Sequence, residues 1–275
     1  MRLLLGLLGH PIAHSAAPAM MEAAAAAAGI RAHYQLIEIA GADRAELARL
    51  LHGVRRLGFR GINVTFPYKE AVVPLLDTLS PGAASLGAVN LILVEGDGRL
   101  SGHNTDATGF LAAVRAHLGA EAREAPALVL GAGGAGRAIA WALREAGVPD
   151  LRVLDADAAK AAALCAAIPG ARAVSDVAAG LRGARFLVNA TPVGMKPDTG
   201  CPLDPALLHG GLWVADAVYA PLETPLLAAA RRVGARTMTG REMSVAQAVD
   251  GFRLFSGRAA DLEAIARAFD AHLAA

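Results

Sequence analysis

Short apolar runs and helix-forming stretches alternate along the chain almost from its first residue. Leu3 to Leu8 reads as a strand, Pro18 to Ala28 as a helix stopped by Gly29, Tyr34 to Ile39 as a strand, and Asp43 to Leu57 as a helix capped by Asp43. Gly61 to Thr65 is expected as a third strand and Lys69 to Leu76 as a helix. Ala88 to Val94 and Arg99 to Gly102, separated by Glu95-Gly96-Asp97-Gly98, predict a hairpin, and Asp106 to Leu118 a connecting helix. The alternation then resumes, with strands expected at Ala127 to Leu130, Leu151 to Asp155, Ala171 to Val174, Phe186 to Asn189, Leu212 to Asp216 and Ala235 to Met238. Two final helices, Ser244 to Phe255 and Asp261 to Leu273, have no following strand and are expected to fold back on the first domain.

The second half is organised around Val129-Leu130-Gly131-Ala132-Gly133-Gly134-Ala135-Gly136-Arg137-Ala138, where a buried run stops at spaced glycines and becomes an Ala-rich helix. Gly131 permits the turn, Gly133 lets the backbone approach a pyrophosphate, Gly136 lets helix and strand pack closely, and the helix N-terminus offers N–H groups to the anion. Gly134 and Ala135 lie in the same turn. About twenty residues on, Leu151 to Asp155 ends in a carboxylate able to accept both ribose hydroxyls of NAD. Thirty glycines make a chance match possible, but the strand, turn, helix and acidic residue together predict a dinucleotide site. The fold expected is α/β: an N-terminal α/β domain over residues 1–105, completed by 242–275, and a Rossmann-type doubly wound parallel-sheet domain over 106–241.

Composition narrows the function classes. The 275 residues carry a formal net charge of +1 with no basic run, which argues against nucleic acid as a partner. The apolar start to Gly9 is too short and wrongly followed for a signal sequence, and Ala19 to Ala28 is too short to span a bilayer. Cys165 and Cys201 form no metal or redox pattern, and no third ligand is spaced to join His10 and His14, so no metal is expected. A cytoplasmic enzyme, monomeric or homodimeric, is the expectation.

Polar amides and lysines are scarce in this Ala- and Arg-rich chain. Its only asparagines are Asn63, Asn90, Asn104 and Asn189, and its only lysines are Lys69, Lys160 and Lys196. Three of the four asparagines and Lys69 fall between positions 63 and 104, in clusters at predicted strand ends: Asn63 to Lys69, Ala88-Val89-Asn90 and His103-Asn104-Thr105-Asp106. His14-Ser15 is a fourth such cluster. Open α/β sheets bind ligands at such ends, although each cluster alone is equally a turn or a cap.

These segments, over essentially the whole chain, resemble the shikimate and quinate dehydrogenase family. Gly9 to Ser15 stands for its first substrate loop, Asn63 to Lys69 for its lysine motif, Gly87 to Asn90 for its third motif and Gly102 to Asp106 for its aspartate motif. Asn189-Ala190-Thr191-Pro192-Val193-Gly194-Met195 is similar to the nicotinamide-side loop, and Val245 to Ala248 to the late substrate helix. The resemblance implies oxidation of a ring hydroxyl to a ketone, with hydride passing to nicotinamide. Lys69 and Asp106 are the implied catalytic pair, and a desolvated lysine tuned to ~7–8 suits a general base. Ser15 would meet the substrate carboxylate, Thr65, Asn90 and Gln247 the ring hydroxyls, and Tyr219 the carboxylate again. Asn189, Thr191, Pro192 and Met243 would border the nicotinamide, a core methionine being the alternative for Met243.

Three departures qualify the resemblance. Ala17 replaces a second hydroxyl residue in the first loop and Leu91 a threonine after Asn90, which puts the identity of the ring acid in question. Asp155-Ala156-Asp157 replaces the Asn-Arg-Thr of NADP-using members, and His103 precedes Asn-Thr-Asp, so NAD is expected over NADP, with Lys160 and Arg137 keeping NADP open. The implied function is an NAD(P)-dependent quinate/shikimate oxidoreductase acting on a small ring polyol carboxylate. The alternatives are the same chemistry on another hydroxylated or amino-substituted cyclohexane or cyclohexene carboxylate, and a catalytically silent NAD-binding regulator.

Overall fold

A computed structural model describes residues 2–118 and 125–274. The chain divides into two compact units, one holding the residues up to Thr105 and those from Val245 onward, the other Asp106–Ser244.

The first unit opens with β1 (Arg2–Gly9), α1 (Ala17–Ala27), β2 (Arg31–Glu38), α2 (Arg44–Arg56) and β3 (Gly61–Val64), as the apolar pattern predicts within a few residues. Asp43 caps α2, its carboxylate accepting from the Glu46 N–H at 2.8 Å. The buried stripe Leu47, Leu51 and Val54 of α2 packs with Leu8, Ile62 and Val64 of the strands. After β3 the expected helix over Lys69 to Leu76 does not form. Turns lead to one 3-10 turn, Val73–Leu75, with i to i+3 bonds from Val73 N to Glu70 O and from Leu75 N to Val72 O. Pro74 explains this, since a proline inside an α-helix has no N–H to give and clashes with the carbonyl four residues back. The sequence pattern also passed over β4 (Thr78–Leu79) and α3 (Pro81–Leu86), both very short. The hairpin forms as β5 (Leu91–Val94) and β6 (Leu100–His103).

The resulting six-stranded sheet has the order β2-β1-β3-β5-β6-β4. The β1 pairings to β2 and β3 are parallel, whereas β5 runs antiparallel to both β3 and β6. Successive strands are added on opposite sides of β1, β2 on one and β3 on the other, so the carboxyl ends of β1 and β3 lie side by side at a switch point.

The second unit contains α4 (Thr105–Leu118, its first residue in the first unit), β7 (Ala127–Leu130), α5 (Gly134–Glu145), β8 (Leu151–Leu154), α6 (Ala158–Ala167) and β9 (Ala171–Ala173). It continues through α7 (Val177–Leu181), β10 (Phe186–Asn189), β11 (Trp213–Asp216), α8 (Pro225–Arg232) and β12 (Arg236–Met238). Its sheet is parallel throughout, in the order β12-β11-β10-β7-β8-β9, the doubly wound Rossmann arrangement. Its switch point falls between β7 and β10. Two helices close the chain, α9 (Gly240–Ser256), which starts four residues before the expected Ser244, and α10 (Leu262–Ala274). Within the first unit α10 packs on α1, and Phe255 of α9 sits so close to β3 that a Cβ on Gly61 would lie 2.7 Å from its ring.

Candidate active site

In the first unit the polar clusters converge at the carboxyl ends of β1, β3 and β6 and at the amino end of β5, which runs antiparallel to β3 and β6. The loop after β1 is tied to the loop after β3 by the His10 N–H, which donates to Phe66 O at 2.9 Å, and to β2 by the Ile12 N–H, which donates to Glu38 Oε1 at 3.0 Å. A side chain on Gly9 would meet Thr65 Cγ2 at 2.3 Å, so the two loops approach this closely only because residue 9 is glycine. Ser15 lies at the end of the first loop, its Oγ accepting from the Ala17 N–H at 3.2 Å as α1 begins.

Lys69 is placed by its neighbours. Tyr68 is 3 % exposed, its hydroxyl donating to Ile39 O at 2.7 Å and accepting from the Ala42 N–H at 3.0 Å. The Lys69 carbonyl accepts from the Val89 N–H at 2.8 Å, one residue before Asn90, and the Val64 N–H donates to Asn90 O at 2.9 Å. Thr65, Lys69 and Asn90 are therefore held on adjoining backbone. Thr65 and Lys69 are partly exposed and Asn90 is buried.

Asn90 reaches the next motif through Thr105. Its Oδ1 accepts from the Thr105 N–H at 2.7 Å, and its Nδ2 donates to Thr105 Oγ1 at 3.0 Å. Thr105 Oγ1 lies 3.3 Å from Gln247 Oε1 on α9, which joins Asn90, Thr105 and Gln247 into one chain of polar groups. Thr105 was not among the residues expected at the site, and its partner Gln247 is 142 positions away. Asp106, 8 % exposed, follows directly in the first turn of α4. His103, on β6, has Nε2 3.3 Å from Ser101 Oγ, which itself bonds Glu95 Oε1. Burial pushes the His103 imidazole below its ordinary pKa, against the opposing pull of the Glu95 carboxylate.

Two residues suspected from the sequence have structural duties instead. Asn63 accepts from the Tyr34 hydroxyl at 2.8 Å and donates to Asn90 O at 3.1 Å, so its amide knits the sheet. Leu91 is 0 % exposed and faces Gly251 of α9, where a Cβ would be 3.4 Å from its Cδ1. It is a core residue, so its replacement of threonine does not alter a surface that a substrate can touch.

In the second unit the glycine turn has the geometry its spacing predicts. Gly131 adopts φ +98°, in the left-handed region, and a Cβ on Gly136 would stand 2.0 Å from Gly131 O, so only glycine allows α5 to start this close to β7. Gly133 is the N-cap of α5, has no side-chain cap to offer, and its missing Cβ faces open space. Gly134 and Ala135 follow in the first turn, so the uncapped N–H groups suit a diphosphate. Asp155, just past β8, accepts from the Ala132 N–H at 2.7 Å through Oδ2 and from the Asp157 N–H at 2.8 Å through Oδ1, which sets its carboxylate beside the turn. Asp157 caps α6 through the N–H groups of Ala159 and Lys160. These residues fit a dinucleotide.

Asn189 ends β10 fully buried, its Oδ1 accepting from the Thr191 N–H at 3.0 Å and hydroxyl at 2.6 Å. Its amide group is spent within the protein, so it shapes the Thr191-Pro192 loop and is not itself a surface for a cofactor. Met243, 8 % exposed, belongs to the core of this unit, and Tyr219 is partly exposed in the segment after β11. Among the described residues no cluster of three or more His, Cys, Asp or Glu could hold a metal, and no helix is long and apolar enough to cross a membrane.

Comparison with known proteins agrees with this architecture. The family model described as the shikimate dehydrogenase substrate binding domain matches residues 7–92. The chain is 44 % identical over 278 residues to the quinate/shikimate dehydrogenase (NAD(+)) of Corynebacterium efficiens, covering 97 % of both chains. It is 46 % identical over 268 residues to the shikimate dehydrogenase (NADP(+)) of Streptomyces avermitilis, covering 94 % of this chain and 91 % of that one. Among solved structures, quinate dehydrogenase from Corynebacterium glutamicum in complex with NAD superposes with a TM-score of 0.90 at 39 % identity, over 98 % of this chain and 99 % of the other. Shikimate 5-dehydrogenase from Thermus thermophilus in complex with NADP(H) and shikimate gives 0.89 at 41 %, with the same coverage. On these likenesses, and on the motifs that the two sheets hold at their carboxyl ends, the chain belongs to the shikimate/quinate dehydrogenase family.

Proposed function

We propose that the protein is an NAD(P)-dependent oxidoreductase that interconverts a ring hydroxyl and a ketone of shikimate or quinate, with NAD preferred over NADP. The first unit, completed by its C-terminal helices, is the substrate and catalytic domain, and the second is the dinucleotide domain. When bound, the nicotinamide supplies the two-electron acceptor for hydride. Lys69 accepts the hydroxyl proton as the carbonyl forms, and Asp106 orients the ammonium and the hydroxyl. Thr65, Asn90 and Gln247 hydrogen-bond the ring hydroxyls, with Thr105 keeping Asn90 and Gln247 in register. Ser15 and Tyr219 take the carboxylate. Thr191 and Pro192 border the nicotinamide, whereas Asn189 and Met243 support that wall from the interior. A cytoplasmic location belongs to this reading and rests on Cys165 and Cys201, both free thiols.

The observation that carries the cofactor preference is the Asp155 carboxylate, fixed beside the glycine turn by the N–H groups of Ala132 and Asp157. Each oxygen keeps a lone pair for a ribose hydroxyl, while a 2′-phosphate brought there meets like charge. The relatives named for NAD and for NADP leave this choice to the residues of the chain itself. Initial rates of quinate and shikimate oxidation with each dinucleotide test it. We expect kcat/KM at least tenfold higher with NAD, and a tenfold advantage for NADP would overturn the preference.

A further inference from the structure

The second unit contains a buried carboxylate that neither the glycine turn nor the ribose accounts for. Asp216, the last residue of β11, is 2 % exposed. Its Oδ1 accepts from Asn189 Nδ2 at 3.0 Å and from the Val218 N–H at 2.9 Å, and its Oδ2 accepts from the Thr224 hydroxyl at 2.7 Å. Asn189 stands at the end of the neighbouring strand, and its other amide atom holds the N–H and hydroxyl of Thr191. Val218 and Thr224 bracket the segment carrying Tyr219. One side chain thus holds both loops that leave the carboxyl ends of β10 and β11.

We propose that Asp216 is a positioning residue for the oxidoreductase reaction, fixing the Asn189 amide so that the Thr191-Pro192 loop keeps its dinucleotide-binding shape, and holding the Tyr219 segment at both ends. A carboxylate oxygen can only accept, so the Asn189 NH2 must face Asp216 and its carbonyl must face Thr191. Without that acceptor only the longer bond to the Val193 carbonyl still fixes the sense of the amide, and its hold on the Thr191 N–H and hydroxyl loosens. The Val193 N–H, which donates to Thr191 Oγ1 at 3.2 Å, and the Val193 carbonyl, which accepts from Asn189 Nδ2 at 3.2 Å, carry the same constraint one turn further. The Lys196 N–H donates to Ala220 O at 3.1 Å, so the two loops are joined again at their far side and shift together.

This inference rests on the proposed reading of the Thr191-Pro192 loop as the wall of the nicotinamide site. The test compares the full-length wild type with Asp216→Ala and Asp216→Asn, measuring NADH binding by fluorescence titration, steady-state kinetics with shikimate, and thermal unfolding. In Asp216→Asn the amide oxygen still accepts from Asn189 and Val218, and the NH2 faces Thr224 Oγ1. It is expected to keep the NADH Kd within threefold. Folded Asp216→Ala is expected to weaken NADH binding at least tenfold and to raise the KM for NAD more than it lowers kcat. A folded Asp216→Ala with wild-type Kd and KM overturns the proposal, as does an Asp216→Asn that loses as much affinity as the alanine variant. If Asp216→Ala does not fold, Thr224→Val removes the hydroxyl that holds Oδ2, together with the 3.3 Å bond it accepts from the Leu227 N–H at the start of α8. A threefold or greater loss of NADH affinity is then expected, and an unchanged Kd overturns the proposal. A wild type that binds no NADH defeats the dinucleotide reading itself, which separates the two failures.

Discussion

Asp216 also leaves a signature in stability. Burial pushes its carboxyl from the ordinary 3.8 up to about 6, against the lowering effect of its hydrogen bonds from Thr224, Val218 and Asn189. Between those pH values the folded chain binds a proton that the unfolded chain does not. The stabilisation by this group is therefore complete below about pH 4 and lost as the pH rises through about 6. From pH 5 to pH 7.5 the wild type should lose about 1.4 kcal/mol more stability than Asp216→Asn. Urea unfolding of both proteins at the two pH values measures it, and a pH-independent difference would sink the assignment. At this scale the sequence is only partly legible. The scarcity of asparagine made the stretch holding Asn63, Asn90 and Asn104 suspect for chemistry. It could not say that Asn63 spends its amide on Tyr34 and Asn90, or that Asn104 donates to Ala88 O at 3.0 Å. Thr105 stood out only as a member of its cluster, with no role of its own, and Asp216 not at all, because their side-chain partners come from other elements, and only folding shows a polar residue which partner it meets.

Elements were readable where a pattern of period two or 3.6 ran long enough, as in β1, α2 and the parallel strands of the second sheet. They were misread where one residue overrode the pattern. Apolar spacing over Lys69 to Leu76 mimics a helix, yet Pro74 limits the segment to one 3-10 turn, and that irregular path brings the Lys69 carbonyl to Val89. The start of α5 offers a paired test of what its glycines do. Gly136→Ala places a methyl 2.0 Å from Gly131 O, so helix and strand must part. We expect a stability loss of about 1–3 kcal/mol, as for an overpacked core site, together with weaker NADH binding. Gly133→Ala meets nothing within 4 Å, so the fold should keep its melting temperature while NADH affinity falls at least tenfold. Denaturation and NADH titration of both variants decide the matter. A Gly133→Ala protein that binds NADH as tightly as wild type would show that no diphosphate lies against the turn.

The whole molecule joins two α/β sheets of different design, and each puts its polar residues at a switch point. The first sheet mixes antiparallel strands into a parallel core, which brings the loops after β1 and β3 and the segment before β5 to one end. The second follows the doubly wound order, with its switch point between β7 and β10. The chain divides into two compact units; the glycine turn and the lysine and aspartate motifs are what lead us to propose a dinucleotide and a catalytic role for them. The core role of Leu91 was not legible, since a departure from a family pattern looks the same whether the side chain faces a ligand or the interior. The central claim is that Lys69 serves oxidation of a ring hydroxyl. Its most direct test is the initial rate of NAD reduction with shikimate and with quinate, for wild type and for Lys69→Ala of equal melting temperature. We predict turnover by the wild type on at least one of the two acids and a fall in kcat of at least a hundredfold in the variant, within the roughly 10²–10⁴ that general acid–base groups contribute. Wild-type turnover that survives in Lys69→Ala, or NADH binding with no turnover on either acid, would contradict it.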